Sequence, residues 1–335
     1  MVRKNRISLQ TIADEVGLSK YAVSRSLAGK SGVSEETRLR ISTMAERLGY
    51  VKPELRTTSD VAILFYDLDP VNSELHVQYQ SGIQAEAQRL EIGVRIHWMH
   101  DADGLPELLK RCSGILLVGP HSNDTIASIA KTNLPVVRIG WPGPLEQADV
   151  VMGTDHEGGQ AVLEYLISLG HRSIVYVYGA PIYRGRHERY YGAREVAERH
   201  SDVTLHPMQF EEAHGFAKAF CDLQKTDFRP TAFFCSHDGL ALTVISELLG
   251  QGYRVPDDVS VVGYGNYSVA TQIAPALTTV KTNGQESGAV ALRLLNERIQ
   301  SSAGTHQAPA RRVQIVATII ERRSTAPVIV PQPSV

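Results

Sequence analysis

Apolar residues recur every three or four positions in three short runs near the N-terminus, a spacing that predicts three helices. Leu9, Ile12, Ala13 and Val16 make the first stripe, and Gly17 follows where a helix ends in the left-handed region. Ser19 stands as the N-cap of a second helix that turns Val23 and Leu27 inward. Ser34 caps a third, with Glu35 and Glu36 in its first turn and Ile41, Met44, Ala45 and Leu48 along its inner face. These runs predict a helix-turn-helix backed by a supporting helix.

Beyond about residue 60 the pattern changes to buried apolar runs alternating with helical periodicity. The runs 61–65, 94–98, 115–118 and 136–139 predict strands, and helices are expected around 77–90, 105–109 and 126–130. A second cycle offers helices at 158–169, 190–199, 216–223 and 240–249, with strands at 174–178, 232–235 and 259–262. Residues 277–281 read as a strand, 285–299 as an amphipathic helix and 313–320 as a final strand. Continuous apolar strands between helices indicate parallel sheets covered on both faces. The expected fold is a small all-α headpiece followed by two doubly wound α/β lobes.

Charge divides the chain the same way. Residues 1–57 carry 11 Lys and Arg against 6 Asp and Glu, whereas the remainder carries 23 against 30. A basic head on an acidic body is the footprint of a polyanion-binding module. The second helix of such a motif enters the major groove with its first residues toward the bases. Lys20, Tyr21, Ala22, Ser24 and Arg25 remain outward once Val23 and Leu27 are committed to the core. Arg25 can form two parallel hydrogen bonds with a guanine edge, while Tyr21 and Ser24 can reach bases or phosphates.

Several classes of function lack their motifs. No Gly-x-Ser-x-Gly elbow, phosphate-binding Gly-x-x-x-x-Gly-Lys or metal-spaced cysteine pair is present. His97 and His100 fall in a strand-like run that turns them to opposite faces, so neither metal nor cofactor is expected, nor enzymatic activity. Cys112, Cys221 and Cys235 are few and widely spaced, which suits reduced core thiols. No run of eighteen apolar residues or export signal is seen, so the expectation is a cytoplasmic protein without a membrane partner.

The residues Ser8-Leu9, Ile12-Ala13, Val16-Gly17-Leu18-Ser19, Val23-Ser24-Arg25, Val33-Ser34, Thr37-Arg38 and Leu48-Gly49-Tyr50 closely resemble the headpiece of the lactose/galactose repressor family. The resemblance extends over nearly the whole chain. It implies that Lys20, Tyr21 and Arg25 read bases of double-stranded operator DNA, and that Ser34, Thr37 and Tyr50 touch phosphates. Ser8, Leu9, Ser19 and Ser24 complete the expected DNA-binding set. It also implies a body like the type I periplasmic sugar-binding proteins, with three crossings between lobes. The boundaries carried over are 1–57 for headpiece and hinge, 60–156 with 283–308 for the first lobe, 157–282 with 309–325 for the second, and a flexible tail at 326–335.

In such sheets ligands bind beyond the carboxyl ends of the strands. Applied to both lobes, that rule selects Phe65-Tyr66-Asp67, Gly140-Trp141, residues 179–189, Ser236-His237-Asp238 and residues 263–266. The effector-binding residues expected are Tyr66, Glu157, Arg189, Phe210, His237 and Asn266. Arg189 and Gly192 match the family's Arg-x-x-Gly, whose arginine binds a polar group on the effector. Phe210 matches an aromatic stacked on a ligand ring, although a core aromatic reads equally well there. Glu157 falls where an acid often faces the cleft, and His237 stands where many sugar-responsive members carry Asn. Gly265 replaces a sugar-binding Asp, so the effector either differs from a simple hexose or uses Asn266 and His237 instead. The segments Gly104-Leu-Pro106 and Gly114-Ile-Leu-Leu-Val-Gly119 are most similar to the branch of the evolved-β-galactosidase repressor, which implies a carbohydrate, a galactoside first.

The stretch 50–60 is shorter than the family's hinge. Leu55 is its one candidate for a minor-groove wedge, so weaker coupling between effector and hinge, or weaker operator bending, than the family norm is expected. One headpiece reads one half-site, which calls for a homodimer on a pseudo-palindromic operator. The proline-bearing tail holds no heptads for a higher assembly. Nothing in the sequence sets the sign of regulation.

Overall fold

The computed structural model describes residues 9–27, 34–48, 60–67, 72–98, 105–110, 112–178, 183–210, 215–301 and 308–328, in two compact units, 1–59 and 60–335. The smaller unit is built as its apolar spacing predicts. Helices α1 (Leu9–Val16), α2 (Lys20–Leu27) and α3 (Glu35–Arg47) pack around Ile12, Ala13, Val16, Val23, Ile41 and Ala45, all buried. Gly17 takes φ +68° between α1 and α2, a conformation that glycine adopts without steric cost. Ser19 and Ser34 both cap, their Oγ atoms accepting from the backbone N–H of Ala22 (3.1 Å) and Thr37 (3.3 Å).

The larger unit holds two six-stranded sheets. The first sheet contains β1 (Asp60–Phe65), β2 (Val94–Trp98), β3 (Cys112–Val118), β4 (Val136–Ile139), β5 (Asp149–Gly153) and β11 (Arg312–Ile315). These strands are all parallel, in the order β11-β5-β4-β3-β1-β2. Helices α4 (Ser73–Leu90) and α12 (Gly284–Ser301) cover one face. The other receives α5 (Leu105–Leu109) and α6 (Asn123–Ala130).

The second sheet contains β6 (Ser173–Val177), β7 (Thr204–Met208), β8 (Ala232–Cys235), β9 (Ser260–Gly265), β10 (Thr278–Lys281) and β12 (Thr318–Ile320). Its order is β12-β10-β9-β8-β6-β7, with β12 antiparallel to β10. Helices α7 (Asp155–Ser168) and α8 (Arg184–Glu198) lie on one face. Helices α9 (Gly215–Gln224) and α10 (Asp238–Gly250) lie on the other, and the short α11 (Val269–Gln272) packs beside α10. The two doubly wound lobes expected from the alternating pattern are present.

The chain crosses between lobes three times, after β5, after β10 and after β11. Three expectations are corrected here. The run 313–320 is two strands, because β11 bonds to β5 in the first sheet and β12 to β10 in the second. The segment 309–325 is therefore shared between the lobes. Residues 326–328 are docked rather than loose, since Val328 N–H donates to the Leu169 carbonyl at 2.9 Å and Ala326 N–H to Ser260 Oγ at 3.1 Å. Cys221 is exposed, whereas Cys112 and Cys235 are buried, and all three are free thiols. Among the described residues no helix is long and apolar enough to cross a membrane.

Candidate functional site

Two sites emerge, one in each unit. In the headpiece, α2 buries Val23 completely and leaves Tyr21 69% exposed. Lys20 is exposed beside it. Arg25 Nη1 donates to Tyr21 Oη at 3.0 Å, and its guanidinium carbon lies 5.6 Å from the Tyr21 ring centroid. One turn of helix thus presents an arginine and a tyrosine oriented by each other. Ser34 Oγ and Thr37 Oγ1 are 2.7 Å apart at the start of α3, so both hydroxyls sit at one helix N-terminus. The backbone places Leu9 at the start of α1 and Ser24 within α2. The expectations for Ser8, Tyr50, Leu55 and the hinge fall outside the described residues.

In the body, a cavity of about 200 Å³ opens beyond the carboxyl ends of the strands of both lobes. That is where the strand-end rule places a ligand. Asp67, Gly140 and Trp141 line it from the first lobe; Tyr183, Arg186, Arg189, His237 and Tyr267 line it from the second. Tyr183 Oη donates to Asp67 Oδ1, joining the two lobes directly. A second bridge runs from Ser268 N–H and Oγ to the Glu74 carboxylate, each at 2.9 Å.

Arg189 is fixed from several sides. Its Nε donates to Asp155 Oδ1 at 2.9 Å, its Nη1 donates to the Ser236 carbonyl, and its guanidinium carbon lies 3.7 Å from the Tyr264 ring centroid. Trp141 Nε1 donates to the other Asp155 oxygen at 2.9 Å. The helix crossing below explains Gly192. A Cβ there would strike the His156 carbonyl of α7, and one on Gly159 would strike the Arg189 carbonyl of α8. Two glycines let α7 and α8 approach closely enough to hold Arg189 against Asp155.

His237 caps α10, its Nδ1 accepting the Leu240 N–H at 3.2 Å. Burial first, then the charges of Arg186 and Arg189, hold its pKa at about 2. The ring is neutral, and with Nδ1 accepting, the proton resides on Nε2. Among the described residues that nitrogen has no hydrogen-bond partner, although His237 is 3% exposed. Asp67 meets Asn72 Nδ2 and His76 Nε2, each at 3.1 Å. Burial lowers the pKa of His76 against the raising effect of Asp67.

Of the residues expected around the effector, the structure brings Arg189 and His237 together at this cavity. The others lie elsewhere. Phe210 packs on Phe216, centroids 5.8 Å apart, at the edge of the second lobe's core. Asn266, at φ +53°, turns its side-chain oxygen to Arg322 Nη2 at 2.6 Å and borders a separate surface groove. Glu157 lines another pocket beside β12. Tyr66 packs against His121 in a tilted pair, centroids 5.8 Å apart, while the next residue, Asp67, faces the cavity.

Asp155 and Tyr267 were not singled out by the sequence, and Arg186 only as one of the strand-end run 179–189. Arg186 was not named by itself because α8 begins at Arg184, six residues before the helix the apolar pattern shows. Tyr267 fills the space left at Gly265, whose added Cβ would come within 2.9 Å of the tyrosine ring. A glycine in place of an acid was the available signal. Among the described residues no group of three His, Cys, Asp or Glu side chains is placed to hold a metal.

Residues 8–53 match the model for bacterial regulatory proteins of the lacI family, and residues 163–325 match the periplasmic binding protein-like domain. The chain is 28% identical over 311 residues to the HTH-type transcriptional repressor PurR of Mannheimia succiniciproducens, covering 87% of this chain and 92% of that one. It is 27% identical over 293 residues to the probable HTH-type transcriptional repressor ExuR of Bacillus subtilis, covering 82% and 86%. Among solved structures it is similar to a complex of the transcriptional regulator CelR with cellobiose. That likeness has 25% identity and a TM-score of 0.70 over 95% of this chain and 100% of the other.

Proposed function

The chain belongs to the lacI family of bacterial regulatory proteins, a DNA-binding transcriptional repressor with a ligand-binding body, and on that premise we propose how it works. A homodimer grips a pseudo-palindromic operator through two headpieces, and a carbohydrate bound between the lobes changes that grip. The observation that carries the reading is α2, with Lys20, Tyr21 and Arg25 outward over a fully buried Val23. One such helix spans one half-site, so two-fold symmetry in the protein calls for two-fold symmetry in the DNA. Access to the chromosome implies a cytoplasmic location.

Support for a carbohydrate comes from the cavity. Trp141, Tyr79, Tyr183 and Tyr267 give it aromatic walls among charged and polar groups, the mixture that packs a sugar ring and orients its oxygens. Its volume of about 200 Å³ is below the range usual for drug-sized ligands, about 300–1,000 Å³, and suits one ring. The CelR relative is a cellobiose complex. A galactoside is one member of the class.

The effector shifts operator occupancy only by its differential affinity for two arrangements of the body. Tyr183 to Asp67 and Ser268 to Glu74 are interlobe contacts that such a rearrangement would change. Selection of bound duplexes from a randomised pool tests the first half of the reading. It is expected to enrich a symmetric sequence that the Arg25→Ala variant no longer enriches; no enrichment by the intact protein contradicts the proposal. A thermal-shift screen of monosaccharides tests the second half, since a ligand that binds the folded state raises Tm by mass action.

A further inference from the structure

Arg40 is one of the eleven basic residues of the headpiece and hinge, where such side chains commonly meet phosphates. The structure engages it otherwise. From α3, its Nη2 donates to the backbone carbonyl of Val16, the last residue of α1, 24 positions away in sequence. Carbonyls in the last turn of a helix lack intrahelical partners and carry the negative end of the macrodipole. Helix α1 has no basic residue of its own in that turn. Arg40 supplies the cation from a different helix.

The bond falls beside the turn that aims α2. Gly17 follows Val16 at φ +68°, and Leu18 N–H returns to the Ala13 carbonyl at 3.0 Å. Ser19 then caps α2 through Ala22 N–H, and the exposed Lys20 and Tyr21 open that helix. The other end of the tether is rigid, because Ile41, next to Arg40, is fully buried in the core shared with Ile12, Val16 and Val23. The turn is therefore held at both ends, by Ser19 on α2 and by Arg40 on α1. A small rotation there displaces Tyr21 and Arg25 together, since both ride on one helix.

We propose that Arg40 is a positioning residue for base reading: without touching DNA, it fixes the angle at which α2 leaves α1. This rests on the reading of α2 given above and adds to it. A phosphate contact strengthens all duplexes alike, whereas a fixed angle favours only the sequence that the aimed side chains fit.

Fluorescence anisotropy of the full chain over a salt series, on its selected operator and on an unrelated duplex, tests this. With Arg40→Met, operator affinity is expected to fall about 3- to 10-fold, the range for an exposed charge-assisted contact at a helix end. Affinity for the unrelated duplex and the slope of log affinity against log salt are expected to stay as in the parent. Arg40→Lys is expected to recover part of the preference. Far-ultraviolet circular dichroism, with binding measured well below Tm, separates a loss of fold from a loss of aim. Should Arg40→Met unfold the headpiece, Arg40→Lys carries the comparison, with a preference below the parent's at an unchanged slope. Equal losses on both duplexes, with a slope lower by about one, would make Arg40 a phosphate contact and overturn the proposal. An unchanged preference in the folded variants overturns it too and leaves α2 as the reader. No preference by the parent overturns the reading of α2 itself.

Discussion

The two sites of the proposed function, the headpiece helix and the cavity, are built by opposite physical means. On α2 the side chains proposed to read DNA stand in water, Tyr21 being 69% exposed. In the cavity the equivalents are already dry: Arg186 is 4% exposed and His237 3%. Exposed groups cost little when unbound, so their removal affects binding more than folding. Buried charges must be compensated inside the fold, so their removal disturbs both. The contrast teaches that a defect in operator binding and a defect in sensing leave different signatures in stability.

Substitutions can break that contrast at either end. The largest effect is expected for Arg189→Met, which leaves Asp155 buried with Trp141 as its remaining side-chain partner. Breaking a buried ion pair costs about 3–5 kcal/mol. Urea unfolding followed by tryptophan fluorescence should show the loss, because both tryptophans, Trp98 and Trp141, belong to the body. The isolated headpiece fold, followed by helical ellipticity, should be unaffected. A variant as stable as the parent would mean that the pair is not compensating a buried charge.

Next in size is Arg25→Ala, expected to cost about 1–3 kcal/mol on the cognate operator with no change in body stability. Competition against single-base variants checks it, and unchanged selectivity would remove Arg25 from base reading. Ser34→Ala removes the cap of α3 and should cost about 1 kcal/mol of headpiece stability, read by thermal unfolding of the headpiece signal. Lys20→Ala should weaken all duplexes alike and lower the slope of log affinity against log salt by about one.

A pH dependence of the body separates the two regions in another way. Burial, opposed by a hydrogen bond to the Ala326 carbonyl, holds His171 at about 4, below its ordinary 6.5. His237 lies lower still, at about 2. Both bind fewer protons folded than unfolded, so their share of stability is complete above pH 6.5 and is lost as pH falls below it. Burial pushes Asp238 up to about 6, despite hydrogen bonds from Thr279 and Tyr267, so it works the other way between 3.8 and 6. Body stability should therefore decline on acidification from pH 6.5, with a shallower slope in His171→Gln.

Much of this was legible in the chain because it is local. A helix-turn-helix is fixed by spacings of three and four and by caps within a few residues, so Ile12, Val23, Ser19 and Ser34 announce their roles. The strand-end rule likewise located Asp67, Trp141 and His237, since each follows a readable strand. The rest depended on contacts far apart in sequence. Arg186 lies in a helical turn whose buried side is polar, so the apolar pattern misses it. Phe210 carries no local mark that separates a core ring from a ligand-stacking one. The break between β11 and β12 shows only when each finds its partner in a different sheet, the crossing held by Ala317 N–H to Thr154 Oγ1 at 3.2 Å.

Fluorescence anisotropy of the full chain on its selected operator, with and without the tightest sugar from the screen and at one fixed salt concentration, tests the link between the two regions. The account predicts a preference of about 10³ or more over unrelated duplex, and a shift in that affinity when the sugar binds the body. An affinity for the operator no greater than for competitor DNA, unmoved by a sugar shown to be bound, would contradict it.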